Sequence, residues 1–348
     1  MNNKAPIKPL KKALQYILPI LLTVFLVWIL FRTVDFKQTM EITSHGVRYE
    51  WILTAMILSV FSHIFRAIRW RLQFAALHIK TSLMEITCSI FGCYALNLVI
   101  PRIGELWRCT FVSQRSKAPL TTVMGSMVAD RLSDSVMVVF LILLTLVVAA
   151  PALSAFLAKY PVGEGLLHIL HSPVFWIVVA VTALTTWFIL RRYRNSKIII
   201  KLRKWISEIW KGFAVVVTMP GKIKFLFLTL CIWGCYFLQF YVAMFAFDFT
   251  RELCTAPGLA YGLIPGLVAF VFSAIGMAIP ANGGLGPWNI AVMFGLALYG
   301  VTEVQGAAFS VVVWSGQTVM LILLGIFTAI WVAATRKCAN TIRQTHKA

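Results

Sequence analysis

The sequence predicts an all-α, polytopic helical membrane protein. Of its 348 residues, 60% are hydrophobic and only 13% are charged, whereas soluble domains average about 45–50% apolar and 25% charged residues. Apolar runs recur from one end of the chain to the other, and about 20 such residues suffice to cross a hydrocarbon layer of roughly 30 Å. This composition excludes a soluble globular protein, and we expect a single integral membrane domain over residues 1–348.

The polytopic architecture rests on seven to nine apolar helical segments. The first of them follows several lysines, as the core of a signal peptide would, but bulky residues stand where a cleavage site would need small ones. We therefore expect this segment to remain as a helix. The predicted segments are Ala13–Phe31, Trp51–Phe65, Glu85–Ile100, Leu120–Ala150, Pro173–Leu190, Phe225–Phe247, Pro257–Ile279, Pro287–Gly300 and Gly306–Thr335.

The charge of +20 indicates topology rather than a nucleic-acid partner, which we do not expect. Most of the 32 lysines and arginines lie in five stretches, and basic stretches of this kind face the cytoplasm and its anionic lipids. This predicts a membrane protein with both termini in the cytoplasm, and we expect its membrane to be the bacterial cytoplasmic (inner) membrane. The five stretches are the N-terminus, residues 66–80, residues 102–117, the basic amphipathic connector 191–224 and the C-terminus.

Two segments are predicted to be re-entrant or broken rather than plain spans. The apolar core of Glu85–Ile100 is short for a span, and basic stretches lie on both sides of it, so we expect it to dip in from the cytoplasm and return. Proline and glycine interrupt residues 280–287, and such backbone cannot face lipid. The flanking segments then form either a hairpin entering from outside or two unequal spans. One broken element per half is typical of inverted-repeat transporters, so an inverted repeat is a hypothesis here.

The first candidate site follows the apolar segment that ends at Pro101. Asn97 precedes the turn, and Arg102, Glu105 and Arg108 recur every three residues, which places their side chains on roughly one side of a helix. Two guanidinium groups match a phosphate through paired hydrogen bonds, and a carboxylate between them limits their repulsion. The alternative is a basic loop that sets topology and contains a local salt bridge.

The second candidate site lies inside the long segment Leu120–Ala150 and consists of Asp130, Arg131 and Asp134. Charged side chains at membrane depth cost several kcal/mol unless they are paired or hydrated, so they indicate a functional interior. The alternative is that these residues lie in headgroup water at the cytoplasmic end of an overlong helix.

The third candidate site is the break itself, formed by Asn282, Gly283, Gly284 and Gly286. Glycine allows close backbone approach, and a helix beginning at Pro287 would offer unpaired N–H groups to an anion. The alternative is a tight turn between two helices. The exclusion of such backbone from lipid favours a cavity-lining role.

The residues that could catalyse a reaction or bind a metal do not form a recognisable set. Seven cysteines lack a CxxC motif or a histidine at ligand spacing, and we interpret them as small buried hydrophobic residues. Cys231 and Cys235 could share a metal, but no further ligand is in view. The sequence therefore favours transport over catalysis and predicts no cofactor or metal.

Together the three motifs resemble the lysylphosphatidylglycerol synthase transmembrane-region family, and the resemblance covers nearly the whole chain. It implies a lipid flippase domain, here standing alone without the soluble aminoacyl-transferase domain of the full synthases. Family members often carry Glu at the position of Asp130 and also after the glycine-rich break, where this chain has residues 287–289. The motif residues that carry the resemblance are Asn97, Pro101, Arg102, Gly104, Glu105, Arg108, Asp130, Arg131, Asp134, Pro280, Gly283, Gly284 and Gly286.

Three functions are compatible with these residues. The leading hypothesis is a transporter that moves an anionic phospholipid or a lipid-linked phosphate between leaflets, with Arg102 and Arg108 binding the phosphate. Glu105 and Asp134 would then orient an arginine or relay a proton, and the glycine break would form the opposite gate. The alternatives are a membrane-embedded headgroup transferase with Glu105 or Asp134 as general base, and a scaffold for a separate synthase or glycosyltransferase.

Overall fold

The computed structural model describes residues 36–44, 46–150, 219–256 and 261–345, with isolated positions between 172 and 210. All regular structure in these ranges is helical. The predicted first segment, most of the predicted segment Pro173–Leu190 and most of the connector 191–224 lie outside the described residues. The helices are α1 Phe36–Ser44, α2 Tyr49–Ala76, α3 Leu83–Val99, α4 Ile103–Ser116, α5 Leu120–Val148, α6 Lys222–Ala243, α7 Asp248–Thr255, α8 Leu263–Gly276, α9 Pro287–Ala297 and α10 Glu303–Thr345.

Four of these helices, α2, α5, α6 and α10, are long and apolar enough to cross a membrane. The prediction of a helical membrane protein is thereby confirmed. Two predicted segments are shorter than their helices: Gly306–Thr335 lies within α10, and Trp51–Phe65 ends well before α2, which continues to Ala76. The reason for the longer α2 is that Arg66 and Arg69 are ion-paired within the protein rather than exposed beyond the helix end.

The predicted segment Glu85–Ile100 supplies only the first limb of a helical hairpin. It forms the continuous helix α3, which begins with a capping box between Ser82 and Glu85. The chain turns at Pro101 and returns along α4, whose residues were predicted to belong to a basic cytoplasmic stretch. A Cβ added to Gly104 would overlap the Cys93 carbonyl oxygen, so only glycine permits this close antiparallel packing.

The broken element of the second half is also a helical hairpin. α8 and α9 have 14 and 11 residues, or about 21 and 17 Å of helix, which is too short to cross the hydrocarbon layer. They pack antiparallel: a Cβ on Gly276 would lie 2.7 Å from the Pro287 carbonyl oxygen, and one on Gly295 2.7 Å from the Ala269 Cα. Of the two predicted alternatives, the helix lengths favour the hairpin over two unequal spans.

The two halves repeat one order of elements, a long helix, a hairpin and a second long helix. The first half is α2, α3–α4 and α5, and the second is α6, α8–α9 and α10. α3 packs on α10, and α8 packs in the corresponding way on α5. α2 and α6 run antiparallel, since Arg48 N donates to Ala246 O at one end and Arg69 contacts Thr229 nearer the other. Among the described helices, this order and packing match what an inverted repeat would produce, and the repeat itself stays a prediction.

Candidate functional site

One face of α2 carries a stripe of polar side chains that are buried inside the protein. Its members recur every three or four residues and therefore lie along one side of the helix. The opposite face exposes Leu53, Ile57 and Phe61. In a membrane-spanning helix of this kind, the apolar face contacts lipid and the polar face lines a hydrophilic interior. The stripe consists of Ser59, Ser62, His63, Arg66, Arg69 and Gln73.

At the centre of the site, two arginines of α2 contact two aspartates of α5. Arg66 Nη1 lies 3.0 Å from Asp130 Oδ2 and 2.7 Å from Asp134 Oδ2. Arg69 Nη2 lies 2.5 Å from Asp130 Oδ1 and 2.8 Å from Asp134 Oδ1. The spacing of three residues on α2 and four on α5 presents each pair on one helix face. All four groups are buried, so each charge depends on the others for solvation.

α6 completes the surroundings of these arginines with two hydroxyl groups. Arg69 Nη1 donates to Thr229 Oγ1 at 3.0 Å, and Arg66 Nη2 donates to Tyr236 Oη at 3.2 Å. The Arg66 guanidinium carbon also lies 5.9 Å from the centre of the Tyr236 ring. These hydrogen bonds therefore connect the ion-paired arginines of the first half to α6 in the second half.

Arg108 of α4 is the third arginine of the site, and it is fully buried. Its Nη2 lies 3.6 Å from Asp130 Oδ2, too far for a hydrogen bond. None of its three side-chain nitrogens has a hydrogen-bond partner. Its guanidinium carbon lies 4.3 Å from the centre of the Trp70 ring, whose Nε1 donates to Ser126 Oγ at 3.1 Å. Arg108 is thus held by an aromatic face while its N–H groups stay unsatisfied. We call Arg66, Arg69, Arg108, Asp130 and Asp134 the arginine cluster.

Glu105 and Arg131 form a separate pair beside the arginine cluster. Arg131 Nη2 lies 2.7 Å from Glu105 Oε1, and both side chains are partly exposed. Glu105 therefore contacts the arginine of α5 and not the two arginines between which the sequence placed it. Arg102 is exposed at the turn of the first hairpin, with a left-handed backbone (φ 63°). Of the predicted arginine pair, Arg108 alone lies in the arginine cluster.

The turns of the two hairpins meet. Asn97 Oδ1 accepts a hydrogen bond from Gly104 N at 2.9 Å and so closes the first turn. Asn282 Nδ2 donates to Val99 O at 3.2 Å across the junction. Behind it, Trp314 Nε1 of α10 donates to Gly283 O at 2.9 Å. The first and third predicted sites are therefore adjacent, although 183 residues separate Val99 from Asn282.

The backbone of the second turn requires its glycines. Gly283, Gly284 and Gly286 all have positive φ, at 57°, 79° and 91°, a region that other residues rarely adopt. The N–H of Gly286 donates to Asn289 Oδ1 at 3.1 Å. That side chain therefore already satisfies one donor at the beginning of α9.

The sequence alone did not single out Arg66, Arg69 or Trp70 as site residues. Their position after an apolar run places Arg66 and Arg69 among the cations of the predicted cytoplasmic stretch 66–80. The informative signal was the helical spacing of the polar residues from Ser59 to Gln73, which continues through the apolar run without a break. Polar residues in a loop would not recur with the spacing of a helix.

Among the described residues, no group of three or more His, Cys, Asp or Glu side chains could hold a metal ion. Cys88, Cys93, Cys109 and Cys254 are buried free thiols, as predicted for small hydrophobic side chains, whereas Cys231 and Cys235 are partly exposed.

Comparison with known proteins identifies one family. The model of the family described as "Lysylphosphatidylglycerol synthase TM region" matches residues 16–325, nearly the whole chain. No curated protein and no solved structure matches significantly.

Proposed function

The chain belongs to the lysylphosphatidylglycerol synthase TM region family, and we propose that it is a lipid translocase moving a phosphate-bearing lipid between leaflets. Family membership together with the four apolar spans supports a membrane protein of lipid metabolism or transport. The proposal extends this to leaflet transfer in the bacterial cytoplasmic membrane, with both termini in the cytoplasm.

The observation that carries the proposal is the unsatisfied guanidinium of Arg108. A buried charged group without hydrogen-bond partners costs several kcal/mol, and a phosphate would supply the missing acceptors in bidentate geometry. Arg66 lies about ten residues, or about 15 Å, before the end of α2, and Asp130 is equally far from the start of α5. The anion would therefore be bound below the level of the headgroups.

A polar path leads from the arginine cluster toward the hairpin turns and supports passage of a headgroup. Ser59 Oγ donates to Gln317 Oε1 at 3.2 Å, and Gln317 Nε2 donates to Gln239 Oε1 at 3.1 Å. Trp314, one helical turn before Gln317 on α10, contacts the second hairpin at Gly283. Polar groups at this depth are expected where a polar substrate passes while its acyl chains remain in lipid.

The two hairpins provide the moving parts of the proposed mechanism. In this conformation Arg108 is fully covered, so substrate entry requires a hairpin to shift. Inverted repeats exchange two conformations in which a central site opens to one side or the other. The contact between the hairpin turns is where the two repeats would separate.

The proposal is tested in vesicles that contain the purified protein and a fluorescent phosphatidylglycerol. Loss of fluorescence after external dithionite reports the rate at which the lipid reaches the outer leaflet. Arg108→Gln removes one charge but leaves the four paired groups of the arginine cluster intact, and we expect the rate to fall about tenfold or more. Arg115→Gln is the matched control, since it removes the same charge from the same helix, where Arg115 contacts Glu85 and Thr335.

Equal rates for the wild type and Arg108→Gln would refute the proposed site. Extraction of total lipid from the same vesicles adds a second readout. A new lipid species would favour the headgroup transferase, because translocation changes only the leaflet in which the lipid resides.

A further inference from the structure

The charges of the arginine cluster do not balance. It contains three guanidinium groups and two carboxylates, and all five side chains are buried. Arg66 and Arg69 each contact both carboxylates within 3.0 Å, whereas Arg108 approaches only Asp130, at 3.6 Å. One positive charge is therefore uncompensated, and it resides on Arg108.

The neighbouring pair does not supply the missing charge. Arg131 and Glu105 neutralise each other at 2.7 Å. The described part of the chain offers no other carboxylate to Arg108, since the remaining ion pairs lie elsewhere, at Arg48–Asp248 and Arg115–Glu85. The cluster thus requires one negative charge from outside these residues.

The same contacts leave no carboxylate available for a cationic headgroup. Asp130 and Asp134 each accept from two arginines, and Glu105 is taken by Arg131. An ammonium group brought next to Arg108 would meet a like charge in a region of low dielectric constant, where repulsion is strong. A headgroup that carries an amine is therefore poorly matched.

The number of phosphate charges matters for the same reason. A phosphodiester carries one negative charge at neutral pH, whereas a phosphomonoester carries about −1.5 to −2. A single charge brings the cluster to neutrality, and a second one would be buried without a partner.

We infer that this site selects lipids whose headgroup carries one phosphodiester charge and no amine. It discriminates against phosphomonoester, zwitterionic and aminoacylated lipids. This inference rests on the proposed function, because it specifies the substrate of the same site.

The selection is tested with four fluorescent lipids that share their acyl chains and differ in headgroup. Phosphatidylglycerol carries one negative charge, phosphatidic acid at pH 8 carries about two, phosphatidylethanolamine is zwitterionic and lysylphosphatidylglycerol has a cationic amino acid. We expect the wild type to transfer phosphatidylglycerol about tenfold faster than each of the others. Transfer of phosphatidic acid or lysylphosphatidylglycerol at the phosphatidylglycerol rate would overturn the inference.

A charge substitution tests the counting argument directly. Asp134→Asn removes a negative charge from the cluster and keeps an oxygen acceptor of similar size. We expect the preference for phosphatidylglycerol over phosphatidic acid to shrink about tenfold or to reverse. Asp248→Asn makes the same change in the exposed pair with Arg48 and should leave the preference unchanged. If Asp134→Asn keeps the wild-type preference for phosphatidylglycerol over phosphatidic acid, the charge of the cluster does not set the selection.

A binding measurement keeps the inference testable if Asp134→Asn does not fold. Short-chain dihexanoyl versions of the four lipids are added to the wild-type protein in detergent, and the shift in melting temperature is recorded. The dihexanoyl phosphatidylglycerol shift should be the largest, and equal shifts for all four would refute the selection. Absence of leaflet transfer for every lipid refutes the proposed function, whereas transfer without headgroup preference refutes only this inference.

Discussion

Arg69 donates two hydrogen bonds to the Asp130 carboxylate in the protein interior, from Nε at 3.0 Å and Nη2 at 2.5 Å, both to Oδ1. Neither side chain is exposed to solvent. Removing one member of a buried ion pair leaves the other charge uncompensated, which costs about 3–5 kcal/mol. This relationship fixes α2 against α5 and suggests the first test.

Asp130→Ala should lower the free energy of unfolding by about 3–5 kcal/mol. Unfolding is measured by titrating the detergent-solubilised protein with sodium dodecyl sulfate and following tryptophan fluorescence. Asp248→Ala is the control, because its pair with Arg48 is largely exposed and such pairs contribute about 0–1 kcal/mol. Similar losses in both variants would mean that the buried pair is not a structural constraint.

Gly104→Ala should separate the limbs of the first hairpin. The added methyl group would overlap the Cys93 carbonyl oxygen and lie 2.8 Å from Asn97 Oδ1, and overpacking of this kind costs about 1–3 kcal/mol. The same unfolding titration measures the loss, and leaflet transfer should decrease in parallel. Gly234→Ala in α6 is the matched control, because nothing lies within 4 Å of the Cβ that it adds. It should not lower the free energy of unfolding. A neutral Gly104→Ala would refute the close packing of α3 and α4.

Trp70 should act as a positioning residue for Arg108. Trp70→Leu removes the aromatic face, whose contact with the cation contributes about 0.5–2 kcal/mol. Ser126→Ala keeps that face and removes the hydrogen bond from the indole together with the one that Ser126 Oγ donates to Val123 O. We expect Trp70→Leu to slow leaflet transfer severalfold and Ser126→Ala to slow it little. Trp70→Phe should retain most of the rate, because it keeps a ring beneath the guanidinium. A Trp70→Phe rate as low as that of Trp70→Leu would contradict an aromatic role.

A disulfide between the hairpin turns should stop transfer reversibly. A Cβ on Gly283 would lie 3.8 Å from the Cα of Leu98, so cysteines at both positions come close to disulfide geometry. Oxidation of Leu98→Cys/Gly283→Cys is expected to abolish leaflet transfer, and dithiothreitol should restore it. The single variant Leu98→Cys controls for the native cysteines, and Gly283→Cys alone controls for the strain of a side chain at φ 57°. Full transfer after complete cross-linking would show that the turns need not separate.

Much of the helix order was predictable from the sequence, because hydropathy and helix breakers act locally. Residues 280–287 marked the second hairpin turn, Pro101 marked the end of the helix before the first turn, and Asp130 with Asp134 marked the buried charges within α5. Each of these signals comes from residues that are close together in the sequence, so a short stretch of sequence is enough to detect it. The return limb α4 was not predicted, because the expected return lay within Glu85–Ile100.

The partners of the charged residues were not predictable in the same way. Hydropathy assigns each side chain a separate cost, so Arg66 and Arg69 ended the predicted segment at Phe65. An ion pair removes much of that cost, but its members here stand 61 to 68 positions apart. The pairing depends on tertiary structure, and a short stretch of sequence does not include both partners.

The buried stripe of α2 also affects how the protein is assembled during synthesis. Arg66 and Arg69 emerge from the ribosome before the aspartates that neutralise them, and isolated arginines at membrane depth are costly. A nascent chain that ends before residue 130 therefore lacks the counter-ions that make α2 a stable span. We therefore expect stable integration of α2 into the membrane to depend on the presence of α5.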